Sequence, residues 1–473
     1  MNDFMYQKSQ WISRFNCPAE QQMREGFIAI AQEVVSEKQL YCKDNKTIYA
    51  GIELELPLVA DNFYLAPQAI RDEIVACFPN YTSVELGAHQ LEIIHEPPVD
   101  IYLAGIRSLE ESLQSHFAPI FKHIQKGAIK IICLGCYPLG MDEFDYTKGD
   151  PKYIKYEQSP VWHMDNQRND AIKILEVAEK VDVSNAYIVG LMNSVQITVD
   201  AQNFTDAIDK LNRSLMISPL AVALGANAPY LNLLDTGYAD VRFLAWEISH
   251  DSRSHEEVAN GRQTRVGLPR RYYGGLNDYF NRILSYPFVM DDPISLKHPF
   301  EVGNGLYWRD ARLKFFRDKK TIAVEFRPVS LQPTLHEDIA MMIFYLGRLF
   351  WSQHKNETLL PMKYVRENKL RAMKYGLNTK LYILSDFVIS SDSATTILAR
   401  EINRAEEGLL LLGAKNQDIK YFFDPLRKRL LTGSPAECFV KKVKHYEKKM
   451  GRREALIAAI KQTEEAVYGQ HDC

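Results

Sequence analysis

The chain has 473 residues, which at roughly 150 residues per domain suggests about three domains, or one large domain with attachments. Lys and Arg number 57 against 60 Asp and Glu, a net charge of −3, and that near-balance argues against a dedicated nucleic-acid binder. Hydrophobic residues make up 46% and charged residues 25%, a mix that excludes wholesale disorder and supplies a sizeable core.

No charge-free apolar run is long enough for a transmembrane helix, and the start, Met1 to Lys8, lacks the apolar stretch of a signal peptide. Seven cysteines do not make a disulfide scaffold in a chain this long. The expected compartment is therefore the cytoplasm, and no membrane partner is expected.

The first 45 residues look mostly helical and are expected to form an extension packed on the main body. Four later segments alternate with period two, apolar on one face and polar on the other. Gly51–Leu58 sets Ile52, Leu54 and Leu56 against Glu53 and Glu55. Gln90–Ile94 sets Leu91 and Ile93 against Gln90 and Glu92. Ser194–Val199 sets Val195, Ile197 and Val199 against Ser194, Gln196 and Thr198. Thr321–Arg327 sets Ile322, Val324 and Phe326 against Ala323, Glu325 and Arg327.

Helical spacing covers Ile101 to about Ile124, Phe204 to about Ala223, and Leu335 to about Phe350, the last with Thr334 as cap and Glu337 three residues on. Cys133 and Cys136 form a lone Cys-x-x-Cys, read as two small residues in a turn. After about Ser385 the chain turns mainly helical and basic. Arg427–Arg453 holds ten Lys or Arg and two Glu, which predicts a solvated helical face.

Parallel strands buried on both faces read as continuous apolar runs, and these four alternate instead. An antiparallel sheet with one polar face, backed by helices, follows. That polar face gathers Glu53, Glu55, Gln90, Glu92, Gln196, Glu325 and Arg327. Carboxylates crowded on one sheet face repel unless cations hold them. No compensating Lys is apparent on that face. Magnesium and manganese take carboxylate and phosphate oxygens, and Glu residues at i and i+2 project side by side, as a metal site needs. Arg327, on the face of Glu325, suits a transferring phosphoryl group. Glu85, seven residues before Glu92, is added although Gly87 prevents parity from placing it. The chain has no P-loop, Rossmann glycine pattern, hydrolase elbow or His-Glu-x-x-His.

At these residues the chain resembles the glutamate–cysteine ligase superfamily, both the plant-type enzymes and the bacterial carboxylate–amine ligases. Segments that match in order are Gly51–Leu56, the pair Glu85 and Glu92, Ser194–Thr198, Pro219–Pro229, Asp235–Arg242, Arg265–Pro269, Val324–Arg327 with Gln332-Pro333, and Glu367–Leu377. Ser194-Val195-Gln196 follows the plant type, whereas Asp235–Arg242 follows the bacterial one.

The resemblance implies the α+β fold of glutamine synthetase and the guanidino kinases, a curved antiparallel sheet whose concave face holds ATP and divalent metal. It implies an ATP-dependent carboxylate–amine ligase acting through an acyl-phosphate, with glutamate and cysteine as expected substrates, in glutathione biosynthesis. Glu53, Glu55, Glu85, Glu92, Gln196 and Glu325 would be metal ligands. Glu53, Glu325 and Arg327 would meet ATP, and Arg327 would also act in catalysis. Arg242 and Arg265 would clamp substrate carboxylates. The other readings are a phosphotransferase, a ligase of another carboxylate and amine, and a non-catalytic nucleotide-binding relative. The expected partners are small molecules, with no nucleic acid, and homo-oligomerisation stays open. The expected organisation is a helical extension over 1–45, a catalytic domain over 46–385 and a basic helical segment over 386–473 packed on it.

Overall fold

The computed structural model describes residues 18–43, 47–127, 129–140, 144–150, 186–288, 296–385 and 387–464. Residues 1–17 of the expected N-terminal extension lie outside them. Within the extension, helix α1 covers Pro18–Ser36 and a short 3₁₀ turn follows at Lys38–Tyr41.

Eight strands build one antiparallel sheet: β1 (Tyr49–Ala60), β2 (Thr82–Val84), β3 (Gln90–Ile94), β4 (Val99–Asp100), β5 (Ile129–Ile131), β6 (Ser194–Asp200), β9 (Ala311–Phe316) and β10 (Thr321–Ser330). The order across the curled sheet is β2-β3-β1-β6-β10-β9, and β4 and β5 also pair with β1. Two small hairpins stand apart: β7 (Tyr230–Leu231) with β8 (Leu234–Asp235), and β11 (Lys380–Ser385) with β12 (Val388–Ser393).

All four alternating segments are strands of the sheet, with their apolar members buried. Ile52, Leu54, Leu56, Leu91, Ile93, Val195, Ile197, Val199, Ile322, Val324 and Phe326 form one inner face. Two long helices cover that face, Phe204–Gly225 and Leu335–His354. Phe326 stacks on Tyr345 of the second at 4.0 Å between ring centroids. The caps follow from the sequence. Asn203 accepts the Asp206 amide at 3.0 Å, and Thr334 accepts the Glu337 amide at 3.2 Å. The expected single helix after Ile101 divides into Ile101–Ala104 and Arg107–Lys126, because Gly105 adopts φ +81° and interrupts it.

The helices after β12 span Ala394–Leu411, Asn416–Thr432, Pro435–Tyr446 and Arg452–Glu464. The first lies on Leu335–His354 so closely that a Cβ on Gly408 would collide with the Gly347 carbonyl oxygen. The basic stretch is not only a solvated face. Arg429 is buried, and its guanidinium donates to Gln332 Oε1 at 2.7 Å, the Leu224 carbonyl at 3.1 Å and Glu337 Oε1 at 3.0 Å. It thereby ties the helix Asn416–Thr432 to the turn that follows β10. No helix among the described residues is long and apolar enough to cross a membrane. Cys133 and Cys136 are buried free thiols, and burial, then the charge of Asp240, pushes the Cys136 thiol up.

Gly408→Ala is expected to destabilise the protein by about 1–3 kcal/mol through overpacking of this helix crossing. Urea unfolding would show it as a lower midpoint with an unchanged slope.

Candidate active site

The register of the sheet decides which side chains meet. Glu55 pairs with Glu92, Glu53 with Gln196, and Glu325 with both Thr198 and Arg312. All of them stand on the face opposite the core. Glu85 is not on a strand, since it lies in the connection from β2 to β3. That connection is held from below by Arg71, which is fully buried. One nitrogen of its guanidinium donates to the carbonyls of Glu85 at 3.4 Å and of Gly87 and Gln90 at 3.3 Å, and to Thr147 Oγ1 at 3.0 Å.

Three cavities run along the polar face. The middle one, about 400 Å³, is lined by Glu53, Glu55, Glu85, Glu92, Gln196, Arg312, Arg327 and the indoles of Trp246 and Trp308. At one end, about 740 Å³ opens over Gly51, Thr198, Ala323 and Lys314, and Glu53 belongs to both. At the other end a pocket of about 50 Å³ lies past Glu55 and Arg327, beside Arg242, Phe243 and Lys369.

The structure thus brings together every expected site residue except two. Glu325 is fully buried and underlies the face rather than lining a cavity. Arg265 is turned away: it donates to the Pro287 carbonyl at 2.6 Å and lies over the Tyr286 ring, at a separate small void. Arg242 does reach the face. It donates to Ser330 Oγ at 3.0 Å and to the Arg327 carbonyl at 3.2 Å. Glu367 and Arg371 pair with each other at 2.9 Å.

The expectation of a face without Lys is overturned. β9 carries Arg312 and Lys314 onto it. Lys314 Nζ lies 2.5 Å from Glu53 Oε1 and 3.1 Å from Glu325 Oε1, and Arg312 pairs with Glu325 through two nitrogens. Arg327 adds a third cation, with Nη1 3.6 Å from Glu325 Oε2. Burial would raise the Glu325 carboxyl, but Arg312, Lys314 and Arg327 outweigh it and hold the group well below the usual carboxylate range. The signal was present: Ala311–Phe316 alternates, and the turn Arg317–Lys320 joins it to β10 as a hairpin. Trp246 and Trp308, on a helix and a loop, carried no signal of their own.

Glu55 lies in the opposite situation. Ser194 Oγ donates to it at 2.7 Å and Gln196 Nε2 at 2.8 Å. Burial, then the charge of Glu85, pushes its carboxyl up to about 6 against the Ser194 hydrogen bond and the charges of Arg242 and Arg327. Glu92 accepts from Ser83 Oγ. The donor types around the middle cavity, carboxylates and one carboxamide, suit a hard divalent ion. Crowding at Glu55 and Glu85 is charge such an ion would relieve. As the side chains stand, no three Asp, Glu, His or Cys groups among the described residues converge into a metal site. Arg327 Nη1 is buried and, beyond its ion pair with Glu325, has no hydrogen-bond partner among the described residues.

A curled antiparallel sheet with a carboxylate-rich face opposite its helix-covered core defines an α+β class, and the comparisons give the family. Residues 49–456 match the model of glutamate-cysteine ligase family 2, and the chain belongs to that family, which places it among the ligases. Among solved structures, the chain is similar to a glutamate–cysteine ligase from Francisella tularensis in complex with AMP, at 12% identity over 90% of each chain with a TM-score of 0.54. It is also similar to a bifunctional glutathione synthetase from Pasteurella multocida at 12% identity, covering 93% of this chain and 54% of that one, with a TM-score of 0.49. No curated protein matches the chain significantly in sequence.

The raised Glu55 pKa has a consequence for stability. The folded group, at about 6, holds its proton more tightly than the unfolded one at 4.5. Stability contributed by the neutral carboxyl is present below pH 4.5 and is lost as pH rises through 6. Metal-free Glu55→Gln is therefore expected to exceed the wild type by about 2 kcal/mol above pH 6 and to match it below pH 4.5. Denaturant titrations at pH 4 and pH 7.5 would measure the difference.

Proposed function

We propose that this protein is an ATP-dependent carboxylate–amine ligase that joins glutamate to cysteine as a γ-glutamyl amide through an acyl-phosphate. The observation that carries this reading is the run of three cavities with shared lining residues on one sheet face, with five carboxylates (Glu53, Glu55, Glu85, Glu92 and Glu301) and Arg327 around the middle one, in a member of glutamate-cysteine ligase family 2.

An unactivated carboxylate does not condense with an amine, because hydroxide is a poor leaving group. Phosphorylation by ATP replaces it with phosphate. The larger cavity, with its small floor of Gly51, Ala323 and Thr198, suits the adenosine, and the triphosphate then lies toward Glu53 and Lys314. AMP in the Francisella protein supports a nucleotide on this fold. Glu55, Glu85 and Glu92, with Gln196 beside them, would hold Mg²⁺ or Mn²⁺, which neutralises phosphate charge when bound. Arg327 meets the phosphoryl group in transit. Arg242, anchored on Ser330 and on the backbone of Arg327, presents its remaining donors to a substrate carboxylate in the smallest pocket. Residues 46–385 would then be the catalytic body, and the partners small molecules in the cytoplasm.

The direct test is amide formation with ADP release from ATP, glutamate and cysteine. ADP release that continues at full rate without any amine would make the enzyme a phosphotransferase. Arg327→Ala is expected to lower kcat and kcat/KM together by about 10²–10³. An unchanged kcat with a raised KM for ATP would remove Arg327 from the chemical step. Arg242→Lys cannot reproduce two parallel hydrogen bonds to a carboxylate. It is expected to raise the glutamate KM by an amount equivalent to roughly 1.5–3 kcal/mol, at unchanged ATP affinity.

A further inference from the structure

The carboxylates of the site are neutralised in two different ways. Glu55 takes neutral donors, Ser194 and Gln196. Glu53 and Glu325 take side-chain cations, because Lys314 bridges the two and Arg312 forks onto Glu325. Lys314 stands on β9 and Glu53 on β1, with β10 and β6 between them. At about 4.8 Å per strand step the flat separation would be about 14 Å. The curl of the sheet closes part of it, and the small residues Ala323 and Thr198 beneath leave the lysine stem a clear path. A bridge built across three strand spacings is the feature to be explained.

A divalent ion arriving at Glu53 competes with the Lys314 ammonium, which already holds Oε1 and would repel a second cation placed close beside it. We propose that Lys314 is a placeholder cation. It occupies Glu53 and Glu325 while the site is empty, moves onto nucleotide phosphate when ATP arrives, and only then leaves Glu53 open to a metal ion. This rests on the ligase reading above. Lys314 lines the large cavity from which the phosphates would approach, and its long flexible stem suits transfer between partners, whereas the planar fork of Arg312 stays on Glu325. Metal and nucleotide then bind with positive coupling, which is reciprocal.

The test is Mn²⁺ binding to the full chain, followed by electron paramagnetic resonance of free Mn²⁺, with and without a non-hydrolysable ATP analogue. In the wild type the analogue is expected to tighten a Mn²⁺ site by about 5- to 150-fold beyond the ions the analogue carries itself. Lys314→Met should give nucleotide-free protein that already binds this ion, with weaker analogue binding and most of the coupling gone. Lys314→Arg should keep nucleotide-free Mn²⁺ binding at the wild-type level. A folded Lys314→Met protein whose nucleotide-free Mn²⁺ titration superimposes on the wild type would overturn the proposal. Should Lys314→Met not fold, equal Mn²⁺ binding by the wild type with and without bound analogue would overturn it as well. Failure of the analogue to bind at any Mn²⁺ concentration would instead overturn the ligase reading, and the handover with it.

Discussion

The site depends on how charge is balanced across one face of one sheet. Glu55 and Glu92 stand opposite each other on paired strands, and Glu53 and Glu325 share their face with β6 between them, so uncompensated repulsion on that face would destabilise the ladder. Arg312, Lys314 and Arg327 settle the half built on β10 and β9. The half around Glu55 is left with hydroxyl and amide donors and keeps a carboxyl shifted up to about 6. The result is a carboxylate-lined middle between Lys314 at one end of the groove and Arg242 and Lys369 at the other.

The strands that carry the site were legible from the sequence because each has one buried and one wet face. Alternation at Ile52, Leu54 and Leu56, or at Val195, Ile197 and Val199, leaves little choice of side for Glu53 and Glu55, or for Gln196, between them. Glu85 could be named only through its distance from Glu92, since an irregular connection has no parity. β9 escaped notice for a different reason. Its polar members are Arg312 and Lys314, which read as ordinary solvent-facing cations, and nothing local reveals that they cross the sheet to carboxylates on other strands.

Arg265 shows the limit of reading roles from motifs. The segment around it matches the family pattern, yet the side chain is consumed by the Pro287 carbonyl and the Tyr286 ring. Other motif residues serve architecture too. Asn227 joins the carbonyls of Cys133 and Leu331 at 2.9 and 2.6 Å, and Gln332 donates to the Gly225 carbonyl at 2.9 Å. These bonds pin helix ends to the sheet just behind Arg327. There the ladder of β10 slips between Phe326 and Val329, and the Arg327 amide turns to the Asp310 carbonyl at 2.9 Å.

Arg71 gives the donor set an unequal stiffness. Glu55 and Glu92 are fixed by the ladder and cannot move without breaking strand pairs. Glu85 hangs on an irregular connection, held by one Arg71 nitrogen shared among three carbonyls and a hydroxyl at separations from 3.0 to 3.4 Å, and by the Thr147 amide on the Leu86 carbonyl and the Ala88 amide on the Asp145 carbonyl. Two of the carboxylates around the middle cavity therefore sit on the rigid ladder, and a third sits on a segment that the ladder does not hold.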